Sequence, residues 1–282
     1  MGKRWHRAIS GFLVLLLSAG LFLGLAPRPL LALSDEANDK TYHFGLRYLK
    51  NVVFDFGDVV VSPLHWKGKD LLLFGGVVMG TGLLALLDHE IKEAVIRHNP
   101  YGIREFSLFI THAGEAPFLI GLSASLYISG EIAKSQGLRR TGLLTLESFA
   151  ISGGIVTVLK FLFGRPRPTS NLSVFAFYPL SLSNFRHSFP SGHSASAFAA
   201  ASVIAGEIDN PVLGAMVYGV AGLVALSRIY NNEHWATDVF AGSAMGYFMG
   251  KMVLRLNRRS STNSSTLSLA PGPGGFSLSL RF

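Results

Sequence analysis

Cysteine is absent from the 282-residue sequence, which excludes disulfides, thiolate nucleophiles and cysteine-ligated metals. Charge is scarce too. Charged residues make up 15 % of the chain, and acidic residues are the rarer kind, 17 against 25 lysines and arginines. Hydrophobic residues make up 49 % and the mean hydropathy is +0.38, high for a soluble protein. Such a chain is rich in buried or lipid-facing helix. The formal net charge of +8 attracts nucleic acid, anionic headgroups or phosphorylated substrates, and in so apolar a chain the last two fit better. Nucleic acid is not an expected partner.

Long uninterrupted apolar runs are also few. The first, at 8–26, comes after Lys3, Arg4 and Arg7 and precedes the small residues Ala32 and Ser34 and the acidic Asp35 and Glu36. This is the order of a cleavable export signal, with an uncleaved N-terminal anchor as the alternative. Residues 1–34 are assigned to that signal or anchor. In either case the basic end stays in the cytoplasm and the chain beyond the apolar run is sent outward, toward the periplasm.

Residues 35–70 show no clear period and read as a helical and loop extension. Apolar segments come next at 71–87, 116–133, 141–163, 194–206, 212–227 and 239–256, with a shorter amphipathic piece at about 101–113. Gly137, Asp209-Asn210-Pro211 and the 164–168 stretch supply turn signals. Neither β alternation in the core nor an internal repeat is present. The expected fold class is all-α, an apolar bundle of about six core helices at 71–259, membrane-embedded or membrane-associated. Most uncharged runs are ~12–17 residues, short of the ~20 that a span needs. Counting crossings from the signal conflicts by one with the positions of Lys134, Arg139, Arg140, Arg255, Arg258 and Arg259. Either one early segment does not span, or the bundle packs on itself without spanning; the second is preferred. The tail, 260–282, reads as a flexible linker to about 275 and then a short alternating strand.

Three clusters sit at helix ends. Lys160 lies in the last turn of an apolar helix that Gly164, Pro166 and Pro168 break, so Lys160 and Arg167 can point into one space. Ser191, in Phe189-Pro190-Ser191-Gly192-His193, is a good N-cap, and free amides at a helix N-terminus bind anions. Arg228 ends another apolar helix, and His234 and Asp238 open the next at a spacing of four, on one helix face. A carboxylate bonded to one ring nitrogen makes the other a better nucleophile. If these helices alternate in direction, all three clusters fall at one end of the bundle. Three cations, two histidines, an aspartate and a helix N-terminus then share a pocket, which is what phosphoryl transfer without a metal or cofactor requires.

Lys160-x6-Arg167-Pro168, Pro190-Ser191-Gly192-His193 and Ser227-Arg228-x5-His234-x3-Asp238 resemble the three-part signature of the type 2 phosphatidic acid phosphatase superfamily. That superfamily includes bacterial acid phosphatases and vanadium haloperoxidases. The resemblance covers about 71–256. It implies that His234 is the nucleophile forming a phosphohistidine, Asp238 its orienting carboxylate and His193 the general acid. Lys160, Arg167, Ser191, Gly192 and Arg228 would hold the phosphoryl oxygens. Arg165 falls off the motif spacing and is left out. His187 and Glu233 are flanking residues, and His89, His112 and Glu115 are given no chemical role. The expected substrate is a phosphorylated lipid or a small phosphoester at a membrane surface. Phosphatidate, phosphatidylglycerophosphate and undecaprenyl pyrophosphate are the leading lipid candidates. A broad-specificity acid phosphatase, a haloperoxidase holding vanadate on His234 and a non-catalytic anion-binding protein are the alternatives.

Overall fold

The structure, a computed structural model, describes residues 42–262 apart from Asn99 and Asn171, together with 266–272 and 275–281. The expected export signal lies outside the described residues. The helices are α1 (Leu46–Val61), α2 (Gly68–Ala85), α3 (Asp88–Arg97), α4 (Tyr101–Ile110), α5 (Ala116–Ile132), α6 (Gln136–Phe163), α7 (Gly192–Glu207), α8 (Pro211–Tyr230) and α9 (Ala236–Thr262). A two-stranded antiparallel hairpin, β1 (Thr266–Gly272) and β2 (Gly275–Arg281), comes after them. The chain is thus all-α in its core, as its patterning predicts.

Local sequence sets the boundaries. The Ser135 hydroxyl caps α6 by accepting from Leu138 N, and the Asn210 side chain caps α8 by accepting from Val212 N and Leu213 N, with Pro211 in the first turn. α6 ends where Gly164 turns left-handed, at φ 58°, and its N–H reaches the Lys160 carbonyl. A side chain at Gly164 would also meet the Tyr178 carbonyl oxygen at 1.7 Å. α7 is the central helix. Its alanines and serines are buried almost throughout, against α6, α8 and most extensively α9. One core cluster joins Val59, Leu144, Ile151, Val203, Val253 and Leu254; a second joins Ala197, Ala201, Ala221 and Val224.

Two expectations change. The 35–70 region contains a regular helix, α1, whose inward row is Tyr48, Val52, Asp55 and Val59. Its period is hidden because an acid sits on the inward face while Val53, Phe54, Val60 and Val61 face outward. The linker expected from 260 is instead helical to Thr262 and then pairs as β1 with the terminal strand, Leu267 opposite Leu280.

The preference for a bundle packed on itself also gives way. Gly68–Ala85, Gln136–Ser170 and Pro211–Tyr230 are long and apolar enough to cross a membrane. No residue of α2 is buried, and Val212, Met216, Val220 and Leu223 form an exposed row along α8. Apolar rows left uncovered on this scale fit lipid as their solvent.

The α7–α9 contact depends on close backbone approach. A Cβ at Gly242, Gly246 or Gly250 of α9 would lie 2.5, 2.1 or 2.5 Å from the carbonyl oxygens of Ser191, Ala195 and Ala199. Small residues four apart let two helices approach at backbone distance. Gly246→Ala is therefore expected to cost about 1–3 kcal/mol by overpacking, read as a lower midpoint in thermal unfolding of the detergent-solubilised protein.

Candidate active site

The end of α6, the start of α7, the end of α8 and the start of α9 meet at one end of the bundle. Short backbone and side-chain bonds lock them together. Ser191 N donates to the Asp238 carbonyl at 2.9 Å, Ser188 N to the Arg165 carbonyl at 2.9 Å, and the Trp235 indole to the Pro166 carbonyl at 2.9 Å. The three motifs, separated by tens of residues in sequence, therefore share one face.

His234 is buried in the segment between α8 and α9. Its Nδ1 lies 3.6 Å from Asp238 Oδ2, beyond direct hydrogen-bond reach, and 3.3 Å from Ser188 Oγ. Ser188 donates to Asp238 Oδ2 at 2.5 Å. With that proton committed to the carboxylate, Ser188 Oγ is left to accept from Nδ1–H. The hydroxyl thus links histidine to aspartate and fixes the tautomer that keeps the Nε2 lone pair available. Burial pushes the His234 imidazole down to about 4; Asp238 opposes the fall, while Lys160 and Arg228 add to it. The ring is neutral at ordinary pH.

Asp238 is held by more than the imidazole. Arg165 Nη1 donates to Asp238 Oδ1 at 2.6 Å and to Thr237 Oγ1 at 2.5 Å, and Arg165 Nη2 to Asp88 Oδ2 at 2.8 Å. Asp88 in turn accepts from Thr237 N at 3.0 Å and from Thr237 Oγ1 at 2.5 Å. Trp235 N caps the other Asp238 oxygen at 3.0 Å. All these groups are buried. Burial alone pushes the Asp238 carboxyl up, but the nearby His234 imidazole, the Arg165 charge and the Ser188 hydrogen bond outweigh it and hold the group below the usual range.

The cations line the open side. The Lys160 ammonium is 3.6 Å from where a Cβ on Gly192 would stand, ordinary van der Waals contact, which places it against the start of α7. Arg228 is mostly buried and donates through Nη1 to Thr111 Oγ1, while its Nε has no hydrogen-bond partner among the described residues. His193, 30 % exposed at its side chain, is pushed down to about 3, first by burial and then by Arg228, His234, Lys160 and Arg167. All four groups are close enough for their charges to act on His193. The Ser191 hydroxyl is fully buried and caps α7, accepting from Ser194 N and from Ser194 Oγ at 2.9 Å.

Every site residue expected from the motifs converges here: Lys160, Arg167, Ser191, Gly192, His193, Arg228, His234 and Asp238. Four residues of the same assembly escape sequence reasoning. Arg165, set aside as off the motif spacing, is the clamp on Asp238; Asp88, Ser188 and Thr237 complete it. Arg165 left a signal, a charge between Gly164 and Pro166 in an otherwise apolar run. Asp88 left none, because its partner Thr237 is 149 residues away. Glu115, given no role, lies 4.0 Å from His193 Nε2 and accepts from His112 Nδ1 at 3.0 Å. His187 bonds the Ser181 carbonyl at 2.7 Å, a staple within the 164–191 connection.

A profile of the PAP2 superfamily matches residues 141–261, the span from α6 through α9 that carries all three motifs. Phosphatidylglycerophosphatase B of Bacillus subtilis is 35 % identical over 198 residues, covering 65 % of this chain and 91 % of that protein. The chain belongs to the PAP2 superfamily. Lipid A 1-phosphatase of Porphyromonas gingivalis is 32 % identical over 148 residues, 51 % of this chain; the match spans only 30 % of that longer protein. Among solved structures, the transmembrane PAP2 type phosphatidylglycerolphosphate phosphatase of Bacillus subtilis superposes with a TM-score of 0.51 at 28 % identity, covering 65 % of this chain and 95 % of that one. The relatives named here are phosphatases, and this chain is a phosphatase of the PAP2 superfamily.

Arg165→Ala leaves two buried carboxylates without their cation. The expected cost is about 3–5 kcal/mol, seen as a large drop in thermal midpoint. Ser188→Ala removes the link and one donor to the buried Asp238 carboxylate; it is expected to cost about 1–3 kcal/mol, less than Arg165→Ala, and to lower kcat/KM by about 10- to 100-fold, the usual size for loss of an orienting partner.

Proposed function

We propose that this phosphatase hydrolyses a lipid-linked phosphomonoester or pyrophosphate through a phosphohistidine on His234. The observation that carries the reading is the pairing of a neutral, tautomer-fixed imidazole with three cations and a second histidine on one open face. Lys160, Arg167, Arg228, the Ser191 hydroxyl and the Gly192 amide hold the phosphoryl oxygens. His234 Nε2 attacks phosphorus, forming the P–N bond as the bond to the leaving oxygen breaks, and His193 gives its proton to that oxygen. A water then attacks phosphorus, His193 takes its proton, the P–N bond breaks and phosphate leaves. Burial is the first cause of the low His193 value and the surrounding cations the second; a dianionic substrate neutralises the cations' share and favours the protonated acid.

Two features favour a lipid over a small soluble ester. The connection from α6 to α7 exposes Leu172, Phe175, Phe177, Leu180, Leu182 and Phe185, an apolar collar beside the site. It is tied to the phosphate-holding residues, because Arg167 N donates to the Phe185 carbonyl at 3.2 Å. The named relatives supply the second feature: one acts on phosphatidylglycerophosphate and another on lipid A. Phosphatidate, phosphatidylglycerophosphate and undecaprenyl pyrophosphate are the substrates to compare. The residues at 1–34 support export, with the site facing the periplasm. The helix bundle at 71–259, joined by α1, is the catalytic unit.

The test is phosphate release by purified protein with EDTA present, comparing short-chain phosphatidate, an isoprenyl pyrophosphate and nitrophenyl phosphate. Release that persists in chelator, prefers lipid and disappears in His234→Ala is expected. Preference for nitrophenyl phosphate would point instead to a broad-specificity acid phosphatase. His193→Ala is expected to lower turnover of phosphatidate by about 10²- to 10⁴-fold, and to do less harm with nitrophenyl phosphate, whose leaving group needs no proton.

A pH profile gives a further check. Below its folded pKa, His234 holds a proton on Nε2 and has no lone pair to attack with. The acid limb of kcat/KM is therefore expected near pH 4, where burial places the group, not near the ordinary 6.5.

A further inference from the structure

Glu233 stands immediately before the nucleophile, and its carboxylate is inside the cation cradle. It forms an ion pair with Arg167 Nη1 and lies 3.9 Å from Arg228 Nη2. The backbone aims it there. Asn232 adopts a left-handed turn, φ 55°, which asparagine tolerates, and Glu233 N then donates back to the Arg228 carbonyl at 3.1 Å. The side chain is 40 % exposed, so it can swing out to solvent. Arg167 and Arg228 are two of the groups assigned to the phosphoryl oxygens. An anion that occupies both in the empty enzyme competes with any phosphate that enters.

We propose that Glu233 is an internal competitor for the phosphate cradle, displaced when the substrate binds and returning to Arg167 and Arg228 as inorganic phosphate leaves. The proposal rests on the assignment of those two arginines to phosphate. Its consequence is a weakened hold on phosphate oxyanions. Binding energy from the rest of the substrate then decides which phosphate can open the site, and the product is expelled more easily. Glu233 is in this sense a specificity-determining residue and touches no reacting atom in the complex.

The experiment measures binding of inorganic phosphate by calorimetry, and inhibition by orthovanadate, on the full detergent-solubilised chain. Wild type, Glu233→Gln, Glu233→Asp and Arg228→Ala are compared. The glutamine variant is isosteric and lacks only the charge. It is expected to bind phosphate about tenfold more tightly, the size of one charge-assisted hydrogen bond released to the ligand. KM should fall with kcat unchanged or lower, a split that a purely structural role would not produce. Glu233→Asp, which keeps the charge on a shorter arm, should fall between. Phosphate affinity within twofold of wild type in both variants, or weaker in the glutamine variant, would overturn the proposal. Arg228→Ala separates the two claims. If it binds phosphate as wild type does, the cradle assignment itself fails. If it loses phosphate while Glu233→Gln equals wild type, only the role of Glu233 fails.

Discussion

The site depends on one buried cation. Arg165 spans two aspartates, Asp88 from the start of α3 and Asp238 from the first turn of α9, and all three side chains are shut away from solvent. A carboxylate enclosed without a cation is costly, so the arginine and its two partners are stable only together. The clamp therefore does two things at once. It sets the carboxylate that acts on His234 through Ser188, and it fixes how the 164–168 segment leaves α6. Arg167, two residues further on, inherits its position from that exit.

Helix packing supplies the second constraint. The cradle is assembled from helix ends, so its precision is that of the α7–α9 contact. Backbone approach at Gly242, Gly246 and Gly250 leaves no room for either helix to slide. The Ser191 amide bonded to the Asp238 carbonyl then ties the start of α7 to the start of α9, which carries Asp238, the carboxylate linked to His234. The polar end of the bundle is specified by its apolar middle.

Much of this was legible in the sequence because it is local. Apolar runs bounded by caps and prolines marked α2 and α5 to α9, and the motif residues are close together within each helix end. What was not legible is long-range or inverted. Asp88 and Ser188 are ordinary residues until the fold brings them to Asp238. α1 was masked because its inward face carries Asp55 while Val53, Phe54, Val60 and Val61 lie outward among polar residues, which blurs the pattern expected in water. α8 is apolar on both its inward and outward rows, so its pattern does not separate core from lipid, and short uncharged runs with a crossing count in conflict by one then favoured a self-packed bundle. A lipid-facing helix shows its apolar row on the outside, and only the packed structure reveals which side is which.

The placement of all the proposed reacting groups at a single end of the bundle has a consequence for supply. For a substrate held in a bilayer, such a site reaches headgroups in one leaflet only. Lipid made or delivered on the opposite side is invisible to it until it crosses. The enzyme therefore reads sidedness as well as chemistry, and its flux in a cell is bounded by transbilayer movement of the lipid as much as by turnover.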